Sequence, residues 1–122
     1  MATVRDIMSR DLVTVDPTAT VAEAATVMGG RGVGSALVVE GQRPAGIFTE
    51  RDILRALARD FDAAHHPVAD WMTHDPATIE ADADVVEARD RMLAGGFRHL
   101  PVTDGGILVG IVSLRDLSRS AD

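Results

Sequence analysis

The pattern Gly-Ile-x-[Thr/Ser]-x-Arg-Asp occurs twice, as Gly46-Ile47-Phe48-Thr49-Glu50-Arg51-Asp52 and as Gly110-Ile111-Val112-Ser113-Leu114-Arg115-Asp116. These residue types suit the holding of a nucleotide. A glycine on a strand lets another group come close to the backbone. The hydroxyl residue stands where strand turns into helix, and the N–H groups after it suit a phosphate by dipole and by unpaired donors. Arg51 and Arg115 each offer a charged fork to that phosphate. Asp52 and Asp116, three residues after the hydroxyl, can accept from two vicinal hydroxyls, as a ribose presents. The same spacing also describes a helix capping box with Asp in place of Glu, so the residues alone leave both roles open. Asp reaches back to the cap less easily than Glu, and Arg and Asp recur while their neighbours differ. Both observations favour a ligand.

The elements that would position these residues follow from a repeat. Sliding the chain along itself gives one dominant match at an offset of 64, from Gly46 to Gly110. It pairs Val4-Arg5-Asp6-Ile7-Met8 with Val68-Ala69-Asp70-Trp71-Met72, and Met28 with Met92. The register holds without a gap to Leu54/Ser118. In each copy an amphipathic segment ending in Met leads to a short strand, Val13-Thr14-Val15 or Ala77-Thr78-Ile79. A helix follows, opened by a capping box at Thr20-x-x-Glu23 or Asp84-x-x-Glu87 and ended by Gly29-Gly30 or Gly95-Gly96. Two strands joined at Gly41 or Gly105-Gly106 come next, and a last helix starts at Thr49 or Ser113. Its apolar face in the first copy includes Ile53, Leu54 and Leu57. Arg59 to Pro67 is the linker-like stretch, dividing the chain into residues 1–60 and 61–122. A unit this small stabilises itself poorly. Two such units burying their sheets against each other about a pseudo-twofold axis would form an α+β body with two related pockets along a shared cleft.

Composition narrows the function. A chain of 122 residues with an apolar fraction of 46% can bury a real core, and with aromatics at 3% that core must be aliphatic. The lack of Cys excludes disulfides, a thiolate zinc site and a Cys nucleophile. A net charge of −7 argues against general nucleic-acid binding and requires any anionic ligand to be captured by local Arg, His or helix N-termini. No signal peptide or membrane-length apolar run is legible, so a cytoplasmic location is expected.

The tandem repeat, the Asp-x-Met openings, Phe97-Arg98-His99-Leu100-Pro101-Val102 and the paired motif resemble a cystathionine-β-synthase (CBS) domain pair, or Bateman module. The resemblance covers Val4 to about Ser118. It implies two βαββα units packed through their sheets, frequent homodimerisation, and regulatory binding of AMP, ADP, ATP, S-adenosylmethionine or related ligands such as NAD between the repeats. By position, Asp52 and Asp116 would hold ribose, and Thr49 and Ser113 would meet phosphate or ribose. The base would lie on backbone near Ala19 with Val33-Gly34, and near Ala83 with Phe97-Arg98. Arg98-His99 match the basic residues that the family often places before its Leu-Pro-Val strand; Gly34-Ser35 in the first copy do not. One pocket would thus combine Ser113, Asp116, Arg98 and His99 with Ala19, Val33 and Gly34, and would suit a phosphorylated ligand. The other would combine Thr49, Arg51 and Asp52 with Ala83 and Phe97 near Asp82 and Asp84, and would favour a less anionic ligand or none.

Other residues read as structural. His65-His66 and His74 lack a third ligand at convincing spacing and are expected to be solvated, with no metal. Trp71 and the equivalent methionines Met8, Met28, Met72 and Met92 are expected in core or interface. No catalytic constellation is legible. The expectation is a non-enzymatic regulatory module that binds an adenosine ligand and signals to a protein partner. The alternative is a ligand-free interaction or oligomerisation protein.

Overall fold

β-branched runs bounded by glycine turns form hairpins in each repeat, and capped amphipathic segments form the helices. The computed structural model describes residues 2–119. Its elements begin with α1 (Val4–Ile7), β1 (Thr14–Val15), α2 (Val21–Arg31), β2 (Ser35–Glu40), β3 (Arg43–Thr49) and α3 (Glu50–Arg59). Two short 3-10 turns, Ala63–His65 and Val68–Asp70, lead to β4 (Thr73–His74) and β5 (Ile79–Glu80). The chain continues through α4 (Val85–Gly95), β6 (His99–Asp104), β7 (Ile107–Ser113) and α5 (Leu114–Arg119).

These elements fall into two compact units cut differently from the sequence repeats. One holds the described residues up to Leu12 together with those from Ala77 onward; the other is Val13–Pro76. The opening segment of each repeat therefore packs on the sheet of the other.

In the Val13–Pro76 unit the sheet order is β1-β2-β3-β4, with β1 parallel to β2 and the remaining pairs antiparallel. Val15, Val21, Ala24, Met28, Val38, Phe48, Val68 and Met72 form its core, with Ile53 and Trp71 packed against them. In the other unit β5-β6-β7 form the sheet, and Val4, Met8, Ile79, Ala88, Met92, Leu100, Val102, Val112 and Leu117 the core. Its opening segment is tied down by backbone bonds from Val4 N–H to Ala83 O (2.8 Å) and by the mutual pair of Ser9 and Ile111. All four methionines expected in the core are buried.

The motif glycines now have a cause. A Cβ on Gly110 would lie 2.6 Å from Met8 Sδ and 2.9 Å from the Ser9 carbonyl, and one on Gly46 would overlap Met72 Sδ. The close approach is thus made by the Asp-x-Met segment of the opposite repeat, and a methyl group would fit only if Met72, or Met8 and the Ser9 backbone, moved.

Several local expectations are corrected. Gly29 and Gly30 lie inside α2, which ends at left-handed Gly32. At the second copy the helix does end on left-handed Gly96. Thr20 and Glu23 form their capping box, but Asp84 accepts from Val86 N while Glu87 pairs with Arg91 at 2.9 Å. Leu54 and Leu57 are exposed, and it is Asp52 and Ala56 that α3 buries. The stretch Arg59 to Pro67 is not a loose linker, for it carries a 3-10 turn with buried Ala63. Nor is His66 simply solvated: it stacks on Trp71 with ring centroids 6.2 Å apart and accepts from Trp71 Nε1 at 3.3 Å.

Gly110→Ala must displace Met8 or the Ser9 backbone and is expected to cost about 1–3 kcal/mol, roughly 4 °C or more in Tm. Gly29→Ala, with nothing within 4 Å and helical backbone, is expected to raise stability by about 0.5–1 kcal/mol. Thermal melts of the two variants check the contrast.

Candidate functional site

Strand β3 runs directly into α3 and β7 into α5, so Thr49 and Ser113 sit at strand-to-helix corners. At the first corner Thr49 N–H donates to Asp52 Oδ2 (2.9 Å), Asp52 N–H to Thr49 Oγ1 (3.2 Å), and Thr49 Oγ1 to Asp52 Oδ2 (3.2 Å). Asp52 is 8% exposed, and its other oxygen accepts from Arg55, which also donates to Trp71 O and lies over the Trp71 ring. At the second corner Ser113 N–H donates to Asp116 Oδ2 (3.1 Å) and Asp116 N–H to Ser113 Oγ (3.0 Å). Both motif pairs are therefore reciprocal caps, the role that the spacing had left open.

This corrects the expectation of free helix-terminal donors. Glu50 N–H donates to Gly34 O (3.0 Å) and Leu114 N–H to Arg98 O (2.8 Å), so the cap and first helical N–H at each corner are occupied by protein acceptors. Any phosphate must be held chiefly by side chains.

The two corners differ in what remains. Asp52 has both oxygens engaged within its own unit. Asp116 accepts at Oδ2 from Ser113 N–H, and the residue equivalent to Arg55 is Arg119, whose side chain lies outside the described residues. Thr49 donates its hydroxyl proton to Asp52, whereas the Ser113 hydroxyl has no acceptor among the described residues.

Arg98, His99, Ser113, Leu114, Arg115, Asp116 and Ser118 line a cavity of about 580 Å³. Small-molecule pockets fall in this range. Four of the expected ligand residues, Ser113, Asp116, Arg98 and His99, are thus brought together within one unit. His99 faces Ser113 across the β6–β7 register, which is why both reach the same cavity. Arg98 and Arg115 supply two fixed positive charges against the one carboxylate of Asp116. In a chain of net charge −7 this is a local reversal of sign. Burial holds the His99 imidazole below its ordinary pKa, with Asp116 pulling it up and Arg98 pushing it further down. Arg115, read from the motif as a charged fork for phosphate, joins the expected ligand residues in this cavity, while Leu114 and Ser118 line it without having been singled out. The recurrence of Arg51 as Arg115 carried the signal for the arginine; nothing in the sequence marked Ser118.

The equivalent positions in the Val13–Pro76 unit carry opposite chemistry. Gly34 stands where Arg98 does, and Glu50 where Leu114 does. A Cβ on Gly34 would meet the Glu50 carboxylate at 3.4 Å, so a carboxylate occupies the direction an arginine would take. Thr49 and Asp52 are close together here, while Arg51, Val33 and Gly34 are exposed and Ala19 is half-buried.

Ala83 and Phe97 belong to the other unit. The Phe97 ring folds across Gly95 and packs on the core. The backbone groups expected to meet a base are largely engaged. Ala19 N–H donates to Asp16 O and its carbonyl accepts from Val68; Ala83 N–H donates to Glu80 O and its carbonyl accepts from Val4. Val33 and Phe97 N–H close the ends of their helices on Met28 O and Met92 O. Second lone pairs on the carbonyls remain. The expected acidic rim is also committed locally, with Asp82 paired to Arg5 (3.4 Å) and Asp84 capping α4. Among the described residues no group of three or more His, Cys, Asp or Glu could hold a metal ion, and no helix is long and apolar enough to cross a membrane.

Comparison with known proteins gives a consistent picture. The CBS domain model matches residues 4–59 and again 68–121. An uncharacterised 17.7 kDa protein of Acidianus ambivalens is 45% identical over 98% of this chain and 74% of its own length. Among solved structures, a CBS-domain protein from Agrobacterium tumefaciens superposes with a TM-score of 0.89 at 30% identity, covering 99% and 100% of the two chains. A CBS domain protein from Pyrobaculum aerophilum, complexed with AMP, gives 0.86 at 32% identity over 94% and 89%. The CBS domain pair of protein MJ0100, in complex with 5′-methylthioadenosine and S-adenosyl-L-methionine, gives 0.87 at 27% identity over 98% and 94%.

The reciprocal cap at the first corner predicts strong coupling. Thr49→Ala and Asp52→Ala are each expected to cost about 1–2 kcal/mol in urea denaturation. The double variant should cost clearly less than their sum, because one interaction is removed twice.

Proposed function

The chain belongs to the CBS-domain family, as a tandem pair, and we propose that it is a non-enzymatic regulatory module whose Arg98–Ser113 cavity takes the phosphate of an adenosine nucleotide. The observation that carries this reading is the cavity wall itself, where Arg98, His99 and Arg115 line the same space as Ser113 in an otherwise acidic protein. A phosphate meets two guanidinium forks there, and the Asp116 carboxylate can accept from a ribose hydroxyl. AMP, ADP and ATP are the first candidates, in keeping with the AMP complex of the Pyrobaculum relative. S-adenosylmethionine and NAD are secondary, since the former carries no phosphate for the two arginines. Thr49, Arg51 and Asp52 form the weaker site: its carboxylate is spent on the cap and on Arg55, and Glu50 repels an anion.

The output of such a module is association with a protein partner in the cytoplasm, with ligand occupancy biasing one conformation over another, as an energy sensor would require. A homodimer fits the exposed apolar residues of the α3 region, where Leu54 is 71% and Phe61 100% exposed. That same surface favours the second reading, a ligand-free oligomerisation protein.

Thermal melts with AMP, ADP, ATP, adenosine, S-adenosylmethionine and NAD separate the two. A phosphorylated ligand at about 100 times its Kd should add about 2.7 kcal/mol, a rise of several degrees. Arg98→Ala should abolish that rise with little change in the unliganded melt. The absence of any shift across the panel would reject the nucleotide reading in favour of the ligand-free one.

A further inference from the structure

His99 is the one cavity residue whose charge can change near neutral pH. It is half-buried on β6, opposite Ser113 on β7 and next to Arg98, with Arg115 and Asp116 facing the same space from α5. The charged groups that act on it are Asp116, which favours its protonation, and Arg98, which opposes it. Without a ligand the wall thus carries two fixed positive charges and one negative, and burial favours the neutral form of the imidazole. A phosphate dianion entering this space would sit among Arg98, Arg115 and His99. It would cancel the repulsion from Arg98 and add an attraction to the protonated ring.

From this arrangement, and resting on the nucleotide reading above, we propose that His99 is a proton-coupled phosphate ligand: the imidazole is neutral in the empty cavity and binds the phosphate as an imidazolium, so that a phosphorylated ligand enters together with one proton from solvent. Charge is conserved in the step: a phosphate dianion and a proton enter, and the ring nitrogen that gains the proton becomes a donor to a phosphate oxygen. Two consequences follow. Affinity for a phosphorylated adenosine rises as pH falls between the bound-state and free-state pKa of His99, by up to about tenfold per pH unit for one proton. Adenosine, without the phosphate, draws no proton. His99 is in this way a specificity residue that sharpens discrimination between phosphorylated and unphosphorylated ligands as pH falls.

The test follows the His99 side-chain NMR resonance through a pH titration without ligand, with AMP and with adenosine. Amide resonances of Ser113 and Arg115 report occupancy independently. Titrating above about pH 7 keeps the AMP phosphate, with its second pKa near 6, largely dianionic. The proposal expects AMP to move the His99 midpoint upward and adenosine to leave it in place. It also expects His99→Gln to bind AMP with a pH dependence reduced by up to about tenfold per unit relative to the wild type. If AMP shifts the Ser113 and Arg115 amides while the His99 midpoint stays put, the proton coupling is wrong and nucleotide binding stands. Should AMP, ADP and ATP all leave those amides unmoved, the nucleotide reading fails and the coupling fails with it.

Discussion

Met8 lies so close over Gly110, and Met72 over Gly46, that a methyl group at either glycine would push the methionine aside. Each contact seats the opening segment of one repeat on the sheet of the other. In the unit that contains the cavity this seat is reinforced by backbone bonds on both sides, Val4 to Ala83 and Ser9 with Ile111. Strand β7 is thereby fixed by β6 along one edge and by the opening segment along the other. Ser113 is three residues beyond Gly110, so the position of the corner, of α5 and of the cavity wall follows from that close approach.

Given fixed corners, the caps decide how much chemistry is left. A carboxylate that caps its own helix is a partly spent ligand. Asp52 is spent further, with Arg55 on its second oxygen and Trp71 beneath that arginine. Asp116 caps its helix in the same way, but its neighbours in the cavity wall, Arg98 and Arg115, supply positive charge. The two copies thus share a fold and a motif but differ in electrostatics, because Gly34 with Glu50 replaces Arg98 with Leu114. Divergence at these positions, and at Ser35 where His99 stands, changes what an anion would encounter beside a shared motif.

Much of this was legible in the chain. The repeat, the hairpin turns at Gly41 and Gly105-Gly106, the starts of the last helices and the grouping of Ser113 with Arg98 and His99 all have local signatures. Which sheet each opening segment joins was not, because a repeat reports equivalence and not pairing. Gly29-Gly30 read as a helix end, yet glycine tolerates helical backbone and the true stop is the left-handed Gly32. Leu54 and Leu57 have apolar types but face outward, since Ile53 and Ala56 take the inward positions of α3. The motif itself had two meanings at one spacing. Hydrogen-bond geometry shows the cap, which both copies have, and the cavity lining shows the positive surroundings found only at Ser113 among the described residues.

The central claim is that one of the two motif corners is a phosphate site and the other is chiefly a structural cap. Equilibrium dialysis of labelled AMP counts the sites directly in the wild type, Arg98→Ala and Glu50→Gln. The account predicts one site per chain in the wild type and a severe loss of affinity on removing Arg98. It also predicts an unchanged principal site in Glu50→Gln. Two equal sites in the wild type, or full-strength binding in Arg98→Ala, would contradict it.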